Sequence, residues 1–269
     1  MKRRVFFGCT LLVCAAIPLA KSPAQQPRQL VWSDEFNGPA DAPPDPAKWT
    51  WDIGNHGGWG NRELETYTKD PVNAHMDGHG NLVIRAEAVA SGGYTSARIK
   101  TEGLFAAEPG SRVEARIKIP AGDGMWPAFW MLGNTFNDRN WPLCGEIDIM
   151  ESIGKEPSLN HGSLHGPGYS GGKPKTAIYA LPDGKEFADD FHTFAIDWSA
   201  TSVTFYVDEV AYNTVRDADI PAGTRWVYNQ PFFLLLNVAV GGNFAGPVGA
   251  GTVFPREMLV DYVRVYKRA

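Results

Sequence analysis

Apolar and polar residues alternate along much of this chain with a period of two residues. The alternation is strict over residues 112–119, where Val113, Ala115, Ile117 and Ile119 point one way and four charged side chains point the other. Successive side chains of a β-strand face opposite sides of a sheet. This run therefore predicts a strand with one face buried and the other turned to water.

Five further runs of the same kind, and the turns between them, extend this pattern to the whole fold. They cover residues 82–88, 94–101, 191–199, 202–213 and 259–267. Turn signals such as Asp77-Gly78 separate them, and no long segment keeps the 3.6-residue period of a helix. The 29 glycines and 20 prolines suit many tight turns. We predict an all-β fold of two antiparallel sheets.

The first residues differ from this pattern and are treated separately. Residues 2–4 are basic, residues 5–20 form an apolar stretch, and Ser22-Pro-Ala24 supplies small residues at the spacing of a cleavage site. These features are typical of a secretory signal peptide. We predict a leader over residues 1–24, with cleavage after Ala20 as the alternative, and a secreted protein, extracellular or periplasmic.

Removing the leader changes the charge and the cysteine count. Its four basic residues leave 21 basic and 30 acidic residues, a formal charge of −9, in the mature chain. A surface of this sign repels polyanions, so no nucleic-acid partner is expected. A lipid anchor on Cys14 is disfavoured by the bulky residue before it. Since Cys9 and Cys14 are lost with the leader, Cys144 has no partner for an intramolecular disulfide.

The remaining residues, 25–269, are long enough for one domain with a sizeable core. The longest apolar run, residues 231–240, is half of the roughly 18 residues that a membrane helix needs. We therefore expect a single catalytic or binding domain that acts as a monomer, without a membrane partner.

Three acids interrupt the apolar run "CGEIDIMES" at residues 144–152. In a regular strand Glu146 and Asp148 would share one face, whereas Glu151 would lie on the other, among isoleucines. Burying an unpaired carboxylate costs several kcal/mol. We therefore predict a β-bulge near Ile149-Met150 that returns Glu151 to the acidic face.

Two carboxyls on one face suit the cleavage of a glycosidic bond, where one acts as nucleophile and the other as acid/base. Glu146 and Glu151 would lie roughly 13 Å apart at Cα and approach each other through their side chains. Asp148, between them, would keep their two protonation states apart. Two other interpretations stay open at this point, a solvated polar face of an ordinary sheet and a divalent metal held by the three carboxylates.

Nine segments carry a resemblance to a known family. They are "WSDEF" (32–36), "GGWGNRELETYT" (57–68), "YTSARIKT" (94–101), "RVEARIKIPAGDGMWPAFWML" (112–132), "WPLCGEIDIMES" (141–152), "LHGPGYSGG" (164–172), "FHTFAIDW" (191–198), "NVAVGGNF" (237–244) and "VDYVRVYK" (260–267). In this order they resemble glycoside hydrolase family 16, and within it the laminarinase-like endo-β-1,3-glucanases. The resemblance covers almost the whole chain after the leader.

The resemblance implies a β-jelly-roll sandwich of two curved antiparallel sheets, concanavalin A-like, with an open cleft along the concave sheet. It implies retaining chemistry on β-glucan polysaccharides, with Glu146 as nucleophile and Glu151 as acid/base. Internal β-1,3 bonds of laminarin-like glucans would be hydrolysed by double displacement. Met150, inserted before the second glutamate, separates laminarinase-like members from lichenases.

Five further residues are candidates for binding the sugar chain. Trp126 and Trp130 are four residues apart and would present flat faces to sugar rings, unless both belong to the core. Asn61, in a glycine-rich loop, and Asn243 would border the cleft, with turn geometry as the alternative. His165 would lie on the strand beside the acids, near the nucleophile.

No organic cofactor is required for this chemistry. The family resemblance implies a structural calcium away from the cleft, held by Glu35 and Asp261 with backbone carbonyls such as that of Gly80. The sequence itself carries no independent calcium motif such as an EF-hand loop.

Three other functions compete with this interpretation. The first is hydrolysis of mixed-linkage β-1,3-1,4-glucan, agarose or carrageenan by the same fold. The second is a glucan-binding module without hydrolysis, which the presence of all three acids disfavours. The third is a serine esterase, because residues 168–172 match G-x-S-x-G, but that elbow needs a strand before it and a helix after it.

Overall fold

The computed structural model describes residues 28–268, so the predicted leader lies outside the described residues. The strands are β1 (Arg28–Asp34), β2 (Thr50–Asp52), β3 (Glu65–Tyr67), β4 (Ala74–Met76), β5 (Leu82–Ala88), β6 (Tyr94–Ser96), β7 (Arg98–Lys100), β8 (Ser111–Lys118), β9 (Met125–Gly133), β10 (Glu146–Glu151), β11 (Leu159–His165), β12 (Lys175–Ala180), β13 (His192–Trp198), β14 (Ser202–Val207), β15 (Val210–Arg216), β16 (Phe232–Val240) and β17 (Arg256–Arg268). The helical segments are α1 (Gly242–Ala245) and two 3-10 turns, Pro182–Gly184 and Asp217–Asp219. None of the helices within residues 28–268 is long and apolar enough to cross a membrane.

The strands form two sheets. One sheet has ten strands, with the order β15-β14-β13-β8-β17-β5-β6-β3 and with β1 and β4 paired to β17 and β5. The other has seven strands in the order β12-β11-β10-β9-β16-β7-β2. All strand pairs are antiparallel except β3 with β6. The prediction of an all-β fold of two antiparallel sheets is confirmed, with this one parallel pair among the described strands as the exception.

The core lies between the two sheets and is built from the apolar sides of the alternating runs. Ile117 of β8 belongs to the same buried cluster as Met131 of β9 and Leu234 of β16. Each such side chain contributes about 1.5–3 kcal/mol when it is fully buried. Cys144 is buried and free, so packing stabilises this part of the chain without a disulfide there.

Strand β8 differs from its prediction on the polar side. Arg112 and Glu114 are buried rather than turned to water. Arg112 Nε donates a hydrogen bond to Glu114 Oε2 at 2.7 Å, and its guanidinium lies 5.0 Å from the ring centre of Tyr206. Because each charge has a partner, both side chains are accommodated under the neighbouring strands.

Two predicted strands are each divided in the structure. Residues 94–101 form β6 and β7, which belong to different sheets, because the chain crosses between the sheets at buried Ala97. Residues 202–213 span β14 and the start of β15, which pair as a hairpin. The turn at Asp208 and Glu209 has positive φ at both residues, without the glycine or asparagine that usually marks such a turn.

Candidate active site

The three acids lie on β10, near the middle of the seven-stranded sheet, and the predicted bulge is present. Between Asp148 and Glu151 the strand advances three residues, whereas its neighbour β9 advances two, from Trp130 to Ala128. The extra residue lets Ile149 and Met150 both join the core. Glu151 therefore returns to the face that carries Glu146 and Asp148.

That face forms the floor of a groove of about 850 Å³. The groove crosses the seven-stranded sheet from Thr176 on β12 to Asp52 on β2. All eight residues that the sequence analysis assigned to catalysis or sugar binding line it, namely Asn61, Trp126, Trp130, Glu146, Asp148, Glu151, His165 and Asn243. The structure thus brings these predicted residues together.

Burial raises the pKa of each of the three acids. The pKa of Glu151 rises to about 8, mainly through burial and then through the charge of Asp148. Burial is also the main reason why the pKa values of Asp148 and Glu146 are raised well above their usual range. A carboxyl that is neutral near neutral pH can donate a proton, as an acid catalyst must.

Glu146 and Asp148 behave as a pair. Burial is the main cause of the raised pKa of both carboxyls, and the charge of Asp148 adds to it at Glu146. Two carboxyls buried side by side favour a state in which one of them keeps its proton. Asp148 is the more deeply buried of the two, with 3 % of its surface exposed.

His165 lies above this pair on the neighbouring strand β11. Its Nε2 atom is 3.1 Å from Asp148 Oδ2 and 3.7 Å from Glu146 Oε1. The backbone N–H of Gly171 donates to His165 Nδ1 at 3.1 Å. Since Nδ1 is the acceptor, the neutral ring carries its proton on Nε2, the nitrogen nearer to the two acids, although the Nε2–H makes no hydrogen bond to Asp148 Oδ2.

This tautomer opposes the metal interpretation of the acidic cluster. Ligand atoms of Glu146, Asp148 and His165 lie within 4.8 Å of one another, which is a spacing that a metal ion could use. A histidine ligand must offer an unprotonated nitrogen. Here Nε2 holds the proton, because the Gly171 N–H occupies the other nitrogen. The cluster fits a proton donor beside carboxylates better than a metal site.

Trp126 contacts the predicted acid/base directly. Its Nε1 atom donates a hydrogen bond to Glu151 Oε1 at 3.0 Å. Its ring packs edge-on against Phe244 of α1, with centroids 5.3 Å apart, and Phe244 packs edge-on against His161 at 5.1 Å. His161 is also the cross-strand neighbour of Glu151 on β11. The indole is therefore held in place by packing as well as by its hydrogen bond.

A hydrogen-bonded chain fixes the other end of the groove floor. Trp130 Nε1 donates to Asn237 Oδ1 at 2.7 Å, and Asn237 Nδ2 donates to the hydroxyl of Tyr67 at 3.1 Å. The Tyr67 hydroxyl donates to Glu63 Oε2 at 3.3 Å, and Asn61 Nδ2 donates to Glu63 Oε1 at 3.0 Å. Two predicted binding residues, Asn61 and Trp130, thus belong to one network.

Sequence reasoning missed several residues of the site. The missed residues are Glu63, Arg98, Trp141, His161, Asn237 and Phe244, all of which line the groove. Five of the six lie within segments that carry the family resemblance, which was the available signal. Their polar or aromatic character alone gave no reason to separate them from an ordinary strand or turn.

The G-x-S-x-G match at residues 168–172 lies in the loop that supplies Gly171 to His165. The segment after this loop is strand β12. A nucleophile elbow requires a helix there, so the esterase interpretation is wrong.

The residues predicted to hold calcium do not fit a calcium site as they stand. The guanidinium of Arg264 donates two hydrogen bonds to Glu35, at 3.0 and 2.7 Å. Asp261 pairs with Arg116 at 2.6 Å. Each carboxylate is already neutralised by an arginine, and a cation would have to displace both arginines to bind the two carboxylates.

We accordingly expect chelation to leave the stability of the protein unchanged. The melting temperature with excess EDTA should equal that with added CaCl₂, because the charges of Glu35 and Asp261 are balanced within the chain. Differential scanning fluorimetry measures this, with MgCl₂ as the control for ionic strength. A melting temperature that falls with EDTA and recovers only with calcium would contradict this expectation.

Comparisons with known proteins agree with the fold. The family model described as "Glycosyl hydrolases family 16" matches residues 61–262. A β-glucanase of Rhodothermus marinus is 38% identical over 99% of this chain and 95% of its own length. The structure of an endo-β-1,3-glucanase from Pyrococcus furiosus has a TM-score of 0.84 and 46% identity, over 91% of this chain and 96% of that one. The laminarinase catalytic domain from Thermotoga maritima has a TM-score of 0.83 and 45% identity, over 90% and 99%.

These neighbours confirm the predicted jelly-roll sandwich, and the family match covers the acids of β10 and most of the residues that line the groove. The predicted family resemblance is confirmed as well. The chain is a glycoside hydrolase and belongs to glycosyl hydrolases family 16.

Proposed function

We propose that the protein is a secreted, retaining endo-β-1,3-glucanase that hydrolyses internal bonds of laminarin-like glucans. The observation that carries the proposal is that Glu146 and Glu151 lie on the same face of one bulged strand and line a groove with aromatic walls. Secretion rests on the basic and apolar pattern of residues 1–24. The endo-1,3 activity named for the Pyrococcus furiosus and Thermotoga maritima neighbours supports the choice of substrate.

The first half of the reaction forms a glycosyl-enzyme. Glu146 attacks the anomeric carbon while the bond from that carbon to the glycosidic oxygen breaks, and Glu151 transfers its proton to the departing oxygen. Because Trp126 donates to Glu151 Oε1, the proton of Glu151 resides on Oε2. Burial, which raises the pKa of Glu151 to about 8, keeps that proton in place at neutral pH.

The second half returns the enzyme to its starting state. Glu151, now ionised, takes a proton from water, and the water oxygen displaces Glu146 from the anomeric carbon with net retention. Asp148 retains the proton of the carboxyl pair, so that Glu146 is the carboxylate that attacks and leaves. His165, through its proton on Nε2, stabilises the negative charge that returns to this pair.

The substrate is tested by the product profiles on laminarin, mixed-linkage β-1,3-1,4-glucan and agarose. We expect oligosaccharides from laminarin, with the β-anomer formed first when the reaction is followed by proton NMR. Faster cleavage of mixed-linkage glucan or agarose would change the assigned substrate. Initial formation of the α-anomer would overturn retention, and tight binding without products would favour a binding module.

The pH dependence of hydrolysis should report the pKa of Glu151. Glu151 must be protonated to act as an acid, and its pKa is raised to about 8. The protonated form is therefore present below this pH and is lost above it, so kcat at saturating laminarin should fall above about pH 8, approaching tenfold per pH unit. Initial rates between neutral and alkaline pH measure this limb.

Trp126→Phe provides a matched variant for the pH measurement. The indole N–H lowers the pKa of Glu151 by stabilising its ionised form, and phenylalanine keeps an aromatic ring against Phe244. The alkaline limb should therefore move to higher pH in the variant. A limb that stays in place in Trp126→Phe would mean that a group other than Glu151 controls it.

A further inference from the structure

A second pair of carboxyls lies beneath the groove, apart from the acids of β10. Glu65, on β3, has no exposed surface, and Glu63 is 7 % exposed and lines the groove. Glu65 Oε1 is buried without a hydrogen-bond partner, and the negative charge of Glu63 lies near enough to raise the pKa of Glu65. Two neighbouring carboxyls in such a buried place favour a state in which they hold one proton between them.

The two members of this pair hold different parts of the groove. Glu65 Oε2 accepts a hydrogen bond from the backbone N–H of Val240 at 2.7 Å, at the end of β16. Glu63 accepts from Asn61 and, through Tyr67 and Asn237, is connected to Trp130. We call Asn61, Trp130 and Asn237 the binding arm, because all three line the groove and depend on these contacts.

We propose that the proton shared by Glu63 and Glu65 keeps the binding arm in the arrangement that binds glucan, so that affinity falls when this proton is lost. The inference rests on the proposed glucan substrate. Glu65 acts here as a positioning residue, since it is wholly buried and reaches the sugar only through Glu63.

Loss of the proton would place two negative charges in contact in a buried site. Burial, followed by the charge of Glu63, raises the pKa of Glu65 to about 8. Above that pH the two carboxylates repel each other, and Glu65 is held by Val240 and cannot leave the interior. Glu63 is the member that can move, and its movement breaks the hydrogen bonds from Asn61 and Tyr67.

The other charged groups around the pair do not replace this proton. Tyr67 on β3 faces both acids, and burial raises its pKa well above the usual range, so its hydroxyl stays neutral. Arg98 on β7 lies 5.1 Å from the ring centre of Tyr67, but its Nε donates to Asp52 at 2.7 Å. Glu151 on β10 faces the pair as well, and the charge of Glu63 contributes to its raised pKa. The positive charge of Arg98 is thus already paired with Asp52.

The test measures glucan binding in a catalytically silent protein. The double variant Glu146→Gln, Glu151→Gln removes turnover and both catalytic titrations. Isothermal titration calorimetry with laminarihexaose then gives Kd from neutral to alkaline pH. We expect Kd to rise above about pH 8, by up to about tenfold per pH unit, and binding in this range to take up a proton, seen as a dependence of the heat on the buffer.

Adding Glu65→Gln to this background should abolish the pH response. The amide oxygen can still accept from Val240, and the amide N–H permanently replaces the shared proton toward Glu63. Kd should therefore stay near its neutral-pH value at alkaline pH, without proton uptake. Glu108→Gln, which alters a surface carboxylate paired with Lys267, is the matched control and should retain the response.

The outcomes separate this inference from the proposed function. Binding with a Kd that does not change up to high pH in the silent protein overturns the inference alone, and this result needs no substitution at Glu65. A pH response that persists after Glu65→Gln also overturns the inference. Asp148 is unchanged in the silent protein and in its Glu65→Gln variant, so such a response would be assigned to Asp148. The absence of binding at every pH, in a folded protein, overturns the proposed glucan substrate and the inference with it.

Discussion

Glu146→Ala should lower kcat/KM on laminarin by at least about 10⁴-fold, the scale of loss when an enzyme's nucleophile is removed. Alanine cannot form the bond to the anomeric carbon, and the neighbouring Asp148 is 3 % exposed and set deeper beneath the groove. The fold should persist, because Glu146 lies at the groove surface. An alanine at this position leaves the core residues Ile147 and Ile149 in place. Reducing-sugar assays and the melting temperature measure the two expectations.

Adding azide tests whether the loss of activity in Glu146→Ala is the loss of the nucleophile. The anion fits the space left by the carboxylate and attacks the anomeric carbon of an aryl β-laminaribioside from the same side. The expected product of Glu146→Ala with azide is the α-glycosyl azide, formed by a single inversion. Near-wild-type turnover in Glu146→Ala, or a β-glycosyl azide, would remove Glu146 from this role.

Glu151→Ala should reduce hydrolysis of laminarin by about 10²–10⁴-fold, the usual contribution of a general acid/base. The loss of activity should depend on the leaving group. 2,4-Dinitrophenolate leaves without being protonated, whereas a sugar needs a proton from the acid catalyst. Formation of the glycosyl-enzyme from a dinitrophenyl substrate should therefore be nearly normal, with a burst of released phenol. Stopped-flow absorbance measures the burst.

The anomer formed with azide distinguishes the two glutamates. In Glu151→Ala azide replaces water in the second displacement, so the expected product is the β-glycosyl azide. Glu108→Ala, with its carboxylate far from the groove and paired with Lys267, serves as the matched control and should retain wild-type kinetics. An equal loss on both kinds of leaving group would show that Glu151 does not act as the acid.

The sequence predicted the fold class because each strand carries its own alternation of apolar and polar residues. It did not predict which sheet a strand joins. The run at residues 94–101 keeps its alternation through Ala97, where the chain passes from one sheet to the other. Strand assignment to a sheet depends on pairing with distant segments, such as β7 with β16, and a local pattern carries no information about that pairing.

The acidic face was predictable for a similar reason. A carboxylate out of phase among isoleucines is costly to bury, so the misfit at Glu151 itself indicated the bulge between Asp148 and Met150. The carboxyl pair of Glu63 and Glu65 gave no such signal. Glu63 and Glu65 are two residues apart, which is the spacing of side chains on the polar face of an ordinary strand. Only the contact with β16 in the structure shows that Glu65 is buried.

The position of β10 within its sheet has a consequence for the length of the fragments that the protein releases. Two strands, β11 and β12, lie on one side of β10, and four, β9, β16, β7 and β2, lie on the other. At about 4.8 Å between strands, the floor extends roughly 10 Å one way and 19 Å the other. We therefore expect a short oligosaccharide that fills the groove to be cut away from its midpoint, with the longer fragment on the side of β2.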